Sequence, residues 1–476
     1  MTSHTLCAPN AALTHDPGRW IALSVLLTGA LLPVLDFNII NLALPAIRQD
    51  LHATSSQIQF VISAYAAVYA VFLITGGRLG DRLGRKRMFT AGIAGFTLAS
   101  VLCGLAWSAQ ALIAGRVLQG LTATIMAPQV LASIRVLFPR EEQGVALGLY
   151  GATFGLAGAL GPILGGVLVA MQPFGLPWQA IFLINVPIGL VALAGSMLFL
   201  PETKAAHVSR LDGGGVILLS VALGSLVYPL VEGRETGWPP HLLALLAFFP
   251  LALGAFVAFE RRLTMRGGAA LVDLSLFTRR GFSIGVGMAL LYYMLSAFYL
   301  TVSTYLQSGL GLSPLAASLR IAPFGGGFFV ASFASARLVR GLGARALTLG
   351  FAVQVLGFVT VIAAALASMP PLFEVGLTVA GMGLGIITPS VIGVVISDVD
   401  HRHAGLASGI VISTFQIGAA LGIAVIGGVF FSTLGQGHGA LAYAHAFATA
   451  LGCNVALLIL AGFLSLWLPR PEQPGV

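Results

Sequence analysis

Apolar stretches long enough to cross a bilayer occupy this chain almost end to end, and that feature decides its fold class. They run at roughly 20–44, 56–76, 88–108, 109–134, 146–170, 179–200, 212–231, 241–259, 281–306, 314–336, 346–367, 371–396, 405–431 and 443–468, fourteen in all. At ~1.5 Å per residue each crosses a hydrocarbon layer of ~30 Å, and none alternates apolar with polar residues as a barrel strand does. An all-α polytopic membrane protein is expected. Of the 476 residues 57% are hydrophobic and 8% charged, where soluble domains carry roughly 25% charged residues. No soluble catalytic domain fits that surface.

Arg19 is the one basic residue among the first twenty, and the first stretch exceeds the ~7 to 15 residues of a signal-peptide core, so a retained helix is expected. Cys7, Cys103 and Cys453 lie far apart without ligand spacing and read as packing residues, so no metal site is expected. Alternating loops place twenty Lys and Arg on one side, from Arg19 to Arg470, and only Arg48 and Arg234 on the other; Arg116 and Arg320 fall inside stretches. This bias directs both termini to the cytoplasm. The net charge of +8 then reflects topology. Nucleic-acid binding would need a clustered basic patch with interleaved aromatics and is not expected.

A repeat lies within the chain. Arg78-Leu79-Gly80-Asp81-Arg82-Leu83-Gly84-Arg85-Lys86 matches Arg337-Leu338-Val339-Arg340-Gly341-Leu342-Gly343-Ala344-Arg345 at four positions, 259 residues on. Gly144, Ala146, Gly148, Ala159, Leu160, Gly161 and Gly166 recur as Gly405, Ala407, Gly409, Ala420, Leu421, Gly422 and Gly427, 261 residues on. Each offset spans eight stretches. Two six-helix bundles follow, in residues 1–200 and 271–476, with a two-helix insert and linker in 201–270. Parallel repeats of this kind build transporters that rock one half against the other. A membrane enzyme would show catalytic clustering; Asp398, Asp400, His401 and His403 come nearest, and read as a solvated turn.

Few charges lie inside the stretches. Asp36 is eight residues from the outer end of the first, and Arg116 seven from the outer end of the fourth, which runs the other way. Both therefore sit ~11 to 12 Å below the outer boundary. Intramembrane ions face a partner or a cavity, so a pair or a shared hydrated pocket is expected. Burial opposes the charge of such a carboxylate while a guanidinium supports it, and small rearrangements then load and release a proton; a purely structural ion pair is the alternative. The repeat maps these positions to Leu295–Ala297 and Val375–Leu377, which hold no charge pair, and leaves Glu374 as an outlying candidate.

On the fourth stretch Arg116, Gln119, Gly120, Ala123 and Ala127 share one helical face. The fifth carries Gly155, Gly158, Gly161, Pro162, Gly165 and Gly166, a density that allows close approach and, at Pro162, a kink. A pivot between the halves is expected there. Asp81, the one acid among Arg78, Arg82, Arg85, Lys86 and Arg87, is expected to act at an inner gate, opposite Arg340 of the second half. The loop has neither Walker spacing nor a preceding strand, so ATP binding is not expected. Asn38, Asn41, Tyr65, Tyr69, Gln119, Tyr292 and Tyr293 are candidates to line a substrate cavity, with Tyr299 a further aromatic.

Four motifs carry a resemblance. Gly77-Arg78-Leu79-Gly80-Asp81-Arg82-Leu83-Gly84-Arg85-Lys86 resembles the loop signature of the major facilitator superfamily (MFS), and Arg116-Val117-Leu118-Gln119-Gly120 its fourth-helix motif. Gly161-Pro162-Ile163-Leu164-Gly165-Gly166 is similar to the antiporter motif of the fifth helix, and Leu35-Asp36-Phe37-Asn38-Ile39-Ile40-Asn41-Leu42-Ala43-Leu44-Pro45 to the first-helix motif of the fourteen-helix drug:proton antiporters of the EmrB/QacA type. The chain departs from the pattern at Phe37, where Thr is commoner, and at Ala157, where a further Gly is common.

The resemblance implies an MFS fold in a bacterial inner membrane and proton-coupled export of small lipophilic or amphipathic compounds by alternating access. It assigns proton coupling to Asp36 and Arg116, the inner gate to Asp81 and its arginines, and the antiport pivot to the glycines of the fifth helix. The proton gradient replaces any cofactor, and the expected partners are the substrate, protons and the bilayer. The scaffold is also compatible with delivery to a periplasmic adaptor and an outer-membrane channel. Export of a self-made metabolite, or a sensing role without transport, are the alternatives.

Overall fold

The computed structural model describes residues 18–204, 211–268, 270–343, 345–396, 399 and 404–468. Among these residues there is no strand, and fourteen helices are long and apolar enough to cross a membrane. The first half holds α1 (Arg19–Asp50), α2 (Ser55–Leu83), α3 (Arg85–Gly104), α4 (Ala109–Leu137), α5 (Arg140–Met171) and α6 (Ala180–Phe199). Then come α7 (Gly213–Thr236) and α8 (Pro240–Met265). The second half holds α9 (Arg280–Gly309), α10 (Pro314–Leu342), α11 (Arg345–Leu366), α12 (Pro370–Ile396), α13 (Ala404–Leu434) and α14 (Ala440–Ser465).

Local chemistry sets several helix ends. Thr54 and Gln57 form a capping box at the start of α2, each side chain serving the other's backbone N–H. Ser108 accepts from Ala111 N at 3.2 Å to open α4. The tight junction between α2 and α3 is Gly84 at φ +112°, a conformation that L side chains avoid. Two helices are interrupted. α6 divides at Ile184 into Ala180–Leu183 and Asn185–Phe199, because Pro187 has no N–H to offer the preceding turn. α9 narrows to a 3₁₀ turn at Met294–Ser296 and ends in a π turn at Tyr305–Gly309.

The halves meet through two equivalent pairs: α5 packs against α10, and α2 packs against α13. Second and fifth helices of each half thus exchange partners, as a parallel repeat requires. α7 lies against both α2 and α13, with Val227 and Val231 buried among Ala66, Ala419, Ala420 and Ala424. Outside it, α8 packs chiefly on α7 and has only 17% of its most apolar window buried, leaving Leu243, Phe248, Leu251 and Val257 exposed. An apolar surface of this extent suits hydrocarbon and not water.

Candidate functional site

Asp36, Arg116 and Gln119 lie in the interior of the first half with no exposed surface. Arg116 Nη1 donates to Asp36 Oδ2, forming the ion pair, and to Gln119 Oε1 at 2.7 Å. Gln119 Nε2 donates to Asp36 Oδ1 at 3.1 Å and to Ser100 Oγ at 2.8 Å. From α6, Asn185 Nδ2 donates to Asp36 Oδ1 at 2.9 Å and to Ser100 Oγ at 3.3 Å. α2 completes the site, as Arg116 Nε donates to the Val61 carbonyl at 3.0 Å and its guanidinium lies 4.4 Å from the Tyr65 ring centroid.

Five helices therefore converge on one carboxylate, and three donors satisfy its charge. A buried pair of this kind is stable only with such hydrogen bonds around it, and losing one partner leaves the other charge uncompensated. Two buried polar atoms here, Arg116 Nη2 and Asn185 Oδ1, have no hydrogen-bond partner among the described residues. Asn185 and Ser100 were not singled out by the sequence, although an Asn two residues before a proline in an apolar stretch is a visible signal. Cys103, read there as inert packing, instead has its Sγ 3.4 Å from Gln119 Oε1 and joins the network.

The other candidates take distinct places. Tyr65 is buried beneath Arg116, its hydroxyl reaching the Pro33 carbonyl at 3.4 Å, and Tyr69 is buried beside it with ring centroids 6.0 Å apart. Asn38 and Asn41 turn their amides back onto α1, to Val34 O at 2.7 Å and Phe37 O at 3.0 Å. Phe37, the departure from the first-helix motif, is half-buried where three apolar clusters of the protein meet. On α9 Tyr292 is buried with its hydroxyl 2.7 Å from Thr388 Oγ1, whereas Tyr293 stacks on Phe415 of α13 at 3.8 Å.

The glycines of α5 divide by face. A Cβ on Gly161 would stand 2.6 Å from Asn38 Cβ, and one on Gly165 2.5 Å from the Ile39 carbonyl, so both let α5 close on α1. A Cβ on Gly166 would collide with Ser318 of α10, across the halves. Pro162, between them, is buried, and Gly158 meets nothing within 4 Å. One helix thus touches the carboxylate-bearing helix on one side and the opposite half on the other.

Asp81, in the last turn of α2, pairs across the Gly84 junction with Arg85 of α3 at 3.0 Å, and Arg85 also donates to the Ala132 carbonyl at 3.2 Å. Arg82 is exposed, and Arg78 donates to Ala270 O in the linker after α8. The side chain of Arg340 and the group Asp398, Asp400, His401 and His403 lie outside the described residues. The second half does hold a charge pair that the sequence did not indicate. Arg320 Nε stands 3.4 Å from Glu374 Oε1, and both side chains are substantially exposed.

Fourteen spans, exchanged helix pairs between two halves and a buried ion pair in one of them define a membrane transporter scaffold, not an enzyme. The chain belongs to the Major Facilitator Superfamily, whose profile it matches over residues 26–423 and again over 284–476. It is 40% identical over 426 residues to a probable actinorhodin transporter of Streptomyces coelicolor, covering 88% of this chain and 73% of that protein. It is 34% identical over 450 residues to the tetracenomycin C resistance and export protein of Streptomyces glaucescens, covering 92% and 81%. Among solved structures, a bacterial homolog of the human lysosomal transporter Spinster superposes with a TM-score of 0.71 over 97% of this chain and 100% of that one, at 16% identity.

Proposed function

We propose that this protein is a proton-coupled antiporter that exports small lipophilic or amphipathic compounds across a bacterial inner membrane, with both termini in the cytoplasm. The observation that carries the reading is the buried Asp36–Arg116 pair, whose carboxylate also accepts from Gln119 and Asn185. Protonation of Asp36 removes the charge that Arg116 and both amides hold in place. The site then relaxes, and α1 carries the change to α5 through Gly161 and Gly165, and α5 to α10 at Gly166. One proton crossing 100 mV supplies ~2.3 kcal/mol, enough to shift a two-state equilibrium by roughly fiftyfold.

Direction of transport rests on the relatives, which are named for transport or export of a compound. In this orientation the end of the bundle bearing Asp50 faces outward. Contacts join the halves at that end: Gln307 Nε2 donates to Leu42 O at 2.9 Å, Arg48 lies 5.8 Å from the Phe431 ring, and Gly166 meets Ser318. That supports a conformation sealed toward the outside. Arg78, Asp81, Arg82, Arg85 and Arg340 would close the opposite mouth when the halves rock.

Because both relatives are named for single compounds, a dedicated exporter of one self-made compound is the second reading. Everted vesicles loaded by a proton gradient separate the two when offered tetracenomycin C and an unrelated lipophilic dye. Uptake of both supports broad efflux, uptake of one supports a dedicated exporter, and uptake of neither across a wider panel contradicts export.

A further inference from the structure

A second set of ionisable groups lies at the opposite end of the protein from the Asp50 turn, where the insert returns to the second half. Asp212 caps α7 by accepting Gly215 N–H at 2.8 Å on Oδ1, and accepts Leu271 N–H at 3.0 Å on Oδ2. Glu260, in the last turns of α8, accepts Val272 N–H at 2.8 Å on Oε2. The two acids therefore grip consecutive amides of the linker that leads to α9. Both are buried, Asp212 at 6% exposure and Glu260 at 0%.

The remaining oxygen, Glu260 Oε1, has no donor among the described residues. It faces the other acid: a Cβ on Gly215 would meet both Glu260 Oε1 and Asp212 Oδ2, so the two oxygens crowd one point. Carboxylate oxygens cannot bond to each other without a proton between them, and like charges this close do not both ionise readily. The surrounding charge agrees. Arg78 of α2 donates to Ala270 O, on the same peptide unit whose Leu271 N–H Asp212 accepts. Two ionised carboxylates against one guanidinium would leave a net negative charge shut away from water, whereas one shared proton brings the group to neutrality. Of the other charges nearby, Arg261, Arg262 and Arg266 of α8 are exposed, Asp273 caps Ser275 N, and Asp81 of α2 pairs with Arg85.

We propose that Asp212 and Glu260 form a second proton-binding site, one proton being held between Glu260 Oε1 and Asp212 Oδ2, and that this proton keeps the 270–272 linker clamped to the insert. When the proton leaves to water, the two negative charges repel, Glu260 withdraws from Val272 N–H, and the linker loosens. Arg78, which belongs to the first half, then loses its hold on Ala270. The site is a cytoplasmic-side counterpart to Asp36, and it stands whether or not Asp36 couples transport to protons.

Two measurements on the full-length protein in lipid nanodiscs test it. In an Asp36→Asn background, infrared spectroscopy should show a protonated-carboxyl band near neutral pH that disappears as pH rises and is missing when Glu260→Gln is added. Amide hydrogen exchange at Leu271 and Val272, corrected for intrinsic rate, should lose protection over the pH range in which that band disappears, approaching tenfold per pH unit. Glu260→Gln, whose amide donates to Asp212 in the proton's place, should keep these amides protected and flat with pH. Absence of the band in the Asp36→Asn protein overturns the proposal even if the Gln variant fails to assemble. Exchange that ignores pH, or keeps its pH dependence in Glu260→Gln, overturns it equally.

Discussion

Asn185 Nδ2 lies 2.9 Å from Asp36 Oδ1, one residue past the point where α6 divides. The carboxylate is therefore held from α4 by Arg116 and Gln119 and from α6 by Asn185. A hydrogen bond to a charged group contributes about 1.5 to 3 kcal/mol. Asn185→Leu, which keeps bulk and loses the donor, should slow proton-coupled export roughly tenfold or more. Asn185→Ser, which retains a hydroxyl, should recover part of it. Equal rates in the Leu and Ser variants at equal protein level would show that packing, not donation, is what Asn185 supplies.

The glycines of α5 give a contrast within one helix. Gly165 faces the Ile39 carbonyl 2.5 Å from where a Cβ would sit, while Gly158 faces open space. Gly165→Ala should lower stability by about 1 to 3 kcal/mol through overpacking and impair export, and Gly158→Ala should leave both nearly unchanged. Thermal unfolding in detergent checks the first effect and vesicle uptake the second.

Placement of the insert is also testable. Gly254 on α8 has nothing within 4 Å of an added Cβ, whereas Ser225 on α7 is buried with its hydroxyl on Ala222 O. A cysteine at Gly254 should react with a lipid-soluble maleimide, be shielded from a charged one, and gain no protection from substrate. A cysteine at Ser225 should react slowly with both. Substrate protection at Gly254 would put α8 at the transport path.

The ion pair itself was legible in the sequence because depth is readable: two lone charges on antiparallel stretches, each seven or eight residues from the same boundary. Gln119 followed from helical spacing. Asn185 and Ser100 did not, because which face of α6 or α3 meets α1 depends on how the helices assemble, and uncharged polar residues stand out less in apolar stretches. The linker was opaque for a related reason. Arg78 and Ala270 are separated by 192 residues, and the contact is to a backbone carbonyl, which no residue pattern encodes. The Arg320–Glu374 pair escaped because the repeat directed attention to positions equivalent to Asp36 and Arg116, and those carry no charge.

The measurement closest to the central claim is substrate-induced proton release from proteoliposomes containing Asp36→Asn. Asn keeps the volume and accepts hydrogen bonds, but cannot take up a proton. The variant should insert and fold, and should release no more protons on substrate addition than protein-free liposomes. Release at the wild-type rate would contradict the assignment of Asp36 as the coupling group.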